Sequence, residues 1–169
     1  MDDLKILQVV GYKNSGKTTL IEGWLSQIAE KQLRAAVIKH HGHGGPLDMP
    51  PASVDSMKYL VAGAVCSISC SKDMVQLHVQ VQPDMNSLIE MAARAHPDVI
   101  LVEGFKHVDQ PKVVIVRLQQ EWESLRMLTN IRLVLVHSGV EVHDRNRTIL
   151  KITEVDVIER WLIQYIEGE

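Results

Sequence analysis

Residues 11–18 read Gly11-Tyr12-Lys13-Asn14-Ser15-Gly16-Lys17-Thr18, and Thr19 follows. They fit G-x-x-x-x-G-K-[ST], a spacing whose glycines let the backbone close around a phosphate without a side chain in the way. The flanks decide what such a match is worth. Leu4-Lys5-Ile6-Leu7-Gln8-Val9-Val10 is a short apolar, β-branched run that predicts a buried strand. After the motif, Leu20, Trp24, Leu25 and Ile28 recur at helical spacing. Strand, glycine loop and helix together aim successive N–H groups and the positive helix end at an anion. In that arrangement Lys17 reaches the β- and γ-phosphates, and the Thr18 hydroxyl is a ligand for Mg²⁺.

The rest of the chain predicts the sheet that carries this loop. Arg34-Ala35-Ala36-Val37-Ile38, ending at Lys39, is a second strand, so the first part of the chain is a βαβ unit with parallel strands. Asp98-Val99-Ile100-Leu101-Val102-Glu103 is a strand apolar enough to be buried on both faces. In a parallel sheet Glu103 then lies at the carboxyl edge beside the glycine loop. Asp98 falls about 16 Å away at the other end, so Glu103 is the acid expected to hold the metal or its water. Pro111–Arg117 and Leu133–Val136 are further strands. Ala64–Ser69 and Met74–Val79, joined through Ser71-Lys72-Asp73, predict an antiparallel pair, the second strand with one wet face. A short helix is expected from Asp55, closed near Gly63. Another opens at Pro83-Asp84, with Leu88, Ile89, Met91 and Ala92 facing inward. An amphipathic closing helix carries Val155, Val157, Ile158, Trp161, Leu162, Tyr165 and Ile166, with Thr153 as its N-cap. The expected fold is a single P-loop NTPase-like α/β domain over residues 1–169. It has a mostly parallel twisted sheet with an antiparallel strand pair and helices on both faces.

Between Lys39 and the first short helix lies His40-His41-Gly42-His43-Gly44-Gly45-Pro46, which holds three of the eight histidines. Its Gly and Pro content forbids regular structure, and it leaves a strand at the edge where doubly wound folds bind ligands. Three readings stay open: a transition-metal site, contact with nucleotide or partner phosphates, or an exposed loop. No fourth ligand stands at a recognisable spacing for the first.

Composition narrows the function classes. A chain of 169 residues with 46 % apolar and 23 % charged content suits one globular domain. No apolar run approaches a membrane span, and Met1-Asp2-Asp3 is unlike a signal peptide, so a cytoplasmic location and no membrane partner are expected. A net charge of −3 argues against a nucleic-acid binder. The two cysteines, Cys66 and Cys70, lie in an apolar run at neither a zinc nor a redox spacing, and inert buried thiols are expected.

Three stretches together resemble the MobB family, the molybdopterin-guanine dinucleotide biosynthesis adaptor proteins. They are Gly11–Thr19, the Ile38-Lys39-His40-His41-x-His43 segment leading through Asp55-Ser56 to Ala62-Gly63-Ala64, and Ile100-Leu101-Val102-Glu103-Gly104-Phe105-Lys106-His107. The likeness covers residues 4 to 117 well and the last fifty loosely. It implies a GTP-binding, weakly hydrolysing homodimer that assists the molybdenum cofactor guanylyltransferase, with molybdopterin as a further partner. GTP and Mg²⁺ are then the cofactors. By position, Gly11, Asn14, Ser15, Gly16, Lys17, Thr18 and Thr19 hold the nucleotide. His40, His41 and Asp55 lie beside it, Thr18 and Glu103 hold the metal, and Lys17 with Glu103 carries any hydrolysis. Guanine preference comes from the resemblance alone, since Val136-His137-Ser138-Gly139 stands where relatives carry a polar pair, and no Asn-Lys-x-Asp motif is present. No residue clearly supplies a water-orienting Gln or an arginine finger, so turnover is expected to be slow. Two other classes share the loop: a small-molecule kinase, for which Arg145 and Arg147 are the only lid candidates, and a nucleotide-binding scaffold without turnover.

Overall fold

The computed structural model describes residues 4–42 and 45–168, and the chain divides into two compact units. The larger is drawn from residues 1–42 and 85–169. In chain order it contains β1 (Lys5–Gly11), α1 (Lys17–Glu30) and β2 (Ala35–Lys39). After the smaller unit come α3 (Met85–Ala93), β5 (Val99–Glu103), β6 (Lys112–Val116), α4 (Trp122–Leu125), β7 (Ile131–Val136), β8 (Thr148–Lys151) and α5 (Val155–Glu167). The smaller, residues 43–84, contains α2 (Asp55–Val61), β3 (Cys66–Cys70) and β4 (Val75–Val79).

Six strands of the larger unit form one parallel sheet in the order β2-β5-β1-β6-β7-β8. Alternation of side chains across each strand gives two covered faces. On one, Leu7, Val9, Leu101, Ile115 and Leu135 pack against Ile21, Trp24 and Ile28 of α1 and against Ile158, Leu162 and Ile166 of α5. The opposite face is covered by Trp122 and Leu125 over Val10, Val114 and Val134. Beside them, Met85, Leu88, Ile89 and Ala92 of α3 pack over Ile38, Ile100 and Val102. From β1 the chain runs to β2 on one side of the sheet and later reaches β6, β7 and β8 on the other. The loop after β1 therefore stands at a topological switch point, where such sheets bind ligands.

Several expectations need correction here. Met91 is exposed, because it sits about 60° beyond Leu88, outside the stripe of Leu88, Ala92 and Ile89. Thr153 is not the N-cap of α5; the helix begins one residue later, after Glu154, and Val155 and Val157 are exposed. β8 and α4, four residues each, are elements not anticipated from the sequence.

In the smaller unit β3 and β4 pair antiparallel, as expected, with Cys66 opposite Val79, Ile68 opposite Leu77 and Cys70 opposite Val75. Those six residues share one face, and all are exposed. The alternation along β4 is present, but its apolar residues are exposed, as is Gln76, and His78 alone is half-buried. The thiols of Cys66 and Cys70 are likewise exposed rather than buried. On the opposite face Ser67 is buried and His78 half-buried, while Ser69 and Gln76 are exposed. Among the described residues no helix is long and apolar enough to cross a membrane.

Candidate functional site

The glycine loop turns tightly from β1 into α1. A Cβ at Gly11 would lie 2.5 Å from Ser15 Oγ and 2.9 Å from the Ile115 carbonyl oxygen, so no side chain fits there. Asn14 (φ 60°) and Gly16 (φ 95°) are left-handed, and Gly16 precedes the first turn of α1. Backbones that interleave such residues line a concavity with successive amides. Ser15 is buried with an unpartnered hydroxyl, and its carbonyl oxygen is 3.0 Å from His137 Nε2 at the end of β7.

Lys17 folds back over the loop, donating to the carbonyl oxygens of Tyr12 (2.7 Å) and Gly11 (3.3 Å). Burial lowers its pKa below the usual lysine value; Glu103 opposes that shift, while Lys106 and Lys39 add to it. Lys106 itself lies over the Tyr12 ring, 3.9 Å from the centroid. Three lysines thus surround one loop, a charge distribution suited to a polyanion.

Glu103 stands at the carboxyl end of β5, nearly buried, in register with Val9 of β1 and Lys39 of β2. The Thr18 hydroxyl is 3.2 and 3.3 Å from its two carboxylate oxygens. Asp98, at the other end of the strand, accepts instead from the Arg34 amide. A hydroxyl and a carboxylate are hard oxygen donors, the chemistry that suits Mg²⁺ shared with substrate phosphates.

Gly104 (φ 91°) and Phe105 (φ 53°) follow, two left-handed residues in succession. Gln8, fully buried in β1, donates its amide to both of their carbonyl oxygens at 2.6 Å. Phe105 packs on the His40 ring with centroids 4.5 Å apart, and the His40 amide bonds to the Glu103 carbonyl. His40 is therefore beside the acid, and His41 is exposed on the adjoining turn. His43 lies outside the described residues, among which no group of three or more His, Cys, Asp or Glu could hold a metal. Asp55 belongs to the smaller unit, where it pairs with Lys58.

Thr19 faces a cavity of about 300 Å³, whose lining also includes Gly16, Trp24, His137, Ile152 and Ile158. The kinase reading leans on Arg145 and Arg147. Arg147 is committed elsewhere, ion-paired with Asp144, bonded to the Arg126 carbonyl and lying over Trp122. Sequence reasoning passed over Gln8, whose signal was an amide inside an otherwise apolar central strand.

Comparison with known proteins gives a consistent picture. A family model described as "MobB: Molybdopterin guanine dinucleotide synthesis protein B" matches residues 6–138. A probable molybdopterin-guanine dinucleotide biosynthesis adapter protein of Bacillus subtilis (strain 168) is 36 % identical over 129 residues, 76 % of this chain and 75 % of that protein. The crystal structure of Bacillus subtilis MobB superposes with a TM-score of 0.82 at 32 % identity, covering 98 % of this chain and 99 % of that one. A MobB homologue from Bacillus stearothermophilus gives 0.78 at 30 % identity, over 97 % and 99 %.

Proposed function

The chain belongs to the MobB family, and on that premise we propose that it binds GTP with Mg²⁺, hydrolyses it slowly, and assists guanylyltransfer onto molybdopterin. Membership makes it an adapter protein of molybdopterin guanine dinucleotide biosynthesis with a P-loop NTPase-like fold. The nucleotide reading rests on one observation: Lys17, Thr18 and Glu103, from two different elements, meet around the loop that opens α1. Main-chain amides of the loop and the Lys17 ammonium take the phosphates. Thr18 and Glu103 hold Mg²⁺, which when bound neutralises charge on the β- and γ-phosphoryl oxygens. The cavity lined by Thr19, His137 and Ile152 receives the nucleoside side of the ligand. Slow turnover fits the surroundings: Gln8, the one buried glutamine among the described residues, has its amide committed to Gly104 and Phe105 rather than free to orient water.

The partners are the molybdenum cofactor guanylyltransferase, molybdopterin and a second copy of this chain. The exposed apolar face of β3 and β4 supports the last, because a face of that kind is more often covered than left in water.

Titration with GTP and ATP in Mg²⁺, with product followed in the same samples, tests the reading. GTP is expected to bind more tightly than ATP and to turn over slowly. Lys17→Ala is expected to lose about 10- to 100-fold in affinity, the worth of a charge-assisted contact to phosphate. Unchanged affinity in that variant refutes the site.

A further inference from the structure

The ammonium of Lys39 lies 3.3 Å from Glu103 Oε2 and 3.5 Å from Thr18 Oγ1. The Thr18 hydroxyl in turn touches both oxygens of Glu103. A hydroxyl, a carboxylate and an ammonium therefore close one small triangle. Its first two members are the oxygen donors assigned above to Mg²⁺, and the third is a cation belonging to the chain.

The Lys39 side chain is exposed, but the sheet fixes where its backbone stands. Lys39 and Glu103 are register partners on adjacent parallel strands, so both project toward α1. The bond from the His40 amide to the Glu103 carbonyl extends that pairing by one residue past the strand end. Glu103 is 8 % exposed, so its charge is only partly screened by water, and an incoming polyphosphate would be repelled by it.

We propose that Lys39 is a tethered counter-ion for the Thr18–Glu103 pair, in competition with Mg²⁺ for the same place. It neutralises Glu103 in the absence of metal and lets the chain hold a metal-free nucleoside triphosphate. It gives way when Mg²⁺ enters with nucleotide. The flexible four-carbon stem permits that exchange, and Mg²⁺ parts with its own waters reluctantly, so a resident ammonium is an effective competitor. This inference rests on the nucleotide reading above and adds to it a residue that sets metal dependence.

The test compares the dissociation constant of fluorescently labelled GTP in excess Mg²⁺ with that in EDTA, and the quantity read is their ratio. In Lys39→Met, binding in EDTA weakens while binding in Mg²⁺ is kept or tightened, so the EDTA-to-Mg²⁺ ratio rises by about tenfold. Lys39→Gln, a second uncharged variant, behaves the same way, and Lys39→Arg, which keeps the charge, stays close to the unaltered protein. Lys31→Met, at the far end of α1 and about 20 Å away, controls for loss of net charge and leaves the ratio unchanged. An unchanged ratio in both uncharged variants overturns the proposal, as does a parallel loss under both conditions, which is what a merely structural role gives. No GTP binding by the unaltered protein overturns the nucleotide reading and this inference together. Good binding with an unmoved ratio overturns this inference alone.

Discussion

Replacing Gln8 with leucine isolates the device that holds the turn after Glu103. Gln8 is fully buried, and its amide donates to Gly104 O and Phe105 O at 2.6 Å each. Phe105, at φ 53°, is in a region costing a non-glycine residue roughly 1 kcal/mol, so the turn is strained and needs a clamp. Leucine leaves the Gly104 carbonyl oxygen unpaired, at about 1–3 kcal/mol, and takes one bond worth about 1 kcal/mol from the Phe105 carbonyl oxygen, which keeps the Val108 amide. It also removes the buried, unpartnered Gln8 Oε1, which returns part of that loss. The net expectation is a destabilisation of about 1–3 kcal/mol. Urea unfolding followed by tryptophan fluorescence is the assay. Trp24, Trp122 and Trp161 all lie in the larger unit, so the signal reports that unit alone. With a slope of about 2 kcal/mol per molar urea, the midpoint should fall by about 0.5–1.5 M. Gln8→Glu, nearly isosteric but without donors when ionised, should fall further at neutral pH. A leucine variant as stable as the parent would refute the reasoning, because the turn would then hold itself.

Two further predictions concern the larger unit's closing helix and the smaller unit's sheet. Tyr165 donates its hydroxyl to Ile6 O at 2.7 Å, and burial raises its pKa above the usual tyrosine value of 10.0. Tyr165→Phe should lose about 0.5–1.5 kcal/mol at neutral pH. Because the folded pKa is the higher one, the unfolded chain ionises first, so the parent loses stability as pH rises above 10 and the phenylalanine variant does not; chemical denaturation at pH 7 and above 10 checks the convergence. Ile68→Glu puts a charge at the centre of the exposed β3–β4 face. If a second copy covers that face, sedimentation velocity should show the variant shifted to monomer, whereas an unshifted dimer would place the contact elsewhere.

Local chemistry made the core of the site legible. Gly11, Gly16, Lys17 and Thr18 announce a backbone shape and a charge by spacing alone. The length of the β5 run told Glu103 from Asp98, and the structure keeps those two acids apart, one with Thr18 and the other with the Arg34 amide. Burial of thiols could not be read in the same way. Cys66 and Cys70 sit in an apolar run, but whether such a run is covered depends on what lies over the sheet, and here that face is exposed. β8 was hidden because four residues carry too little periodicity to stand out from the polar stretch at residues 143–147 before them.

The sequence alone was enough to set out the strand, glycine loop and helix from Lys5 to Glu30, the parallel sheet beneath them, and the edge on which Glu103 stands. These follow from sterics and periodicity acting over a few neighbouring residues. It took the folded chain to bring Lys39 against Glu103 and Thr18, to let Gln8 pin Gly104 and Phe105, and to set His137 on the Ser15 carbonyl. Each of those joins residues at least 21 positions apart, and strand order and register, which no local stretch encodes, bring them within reach.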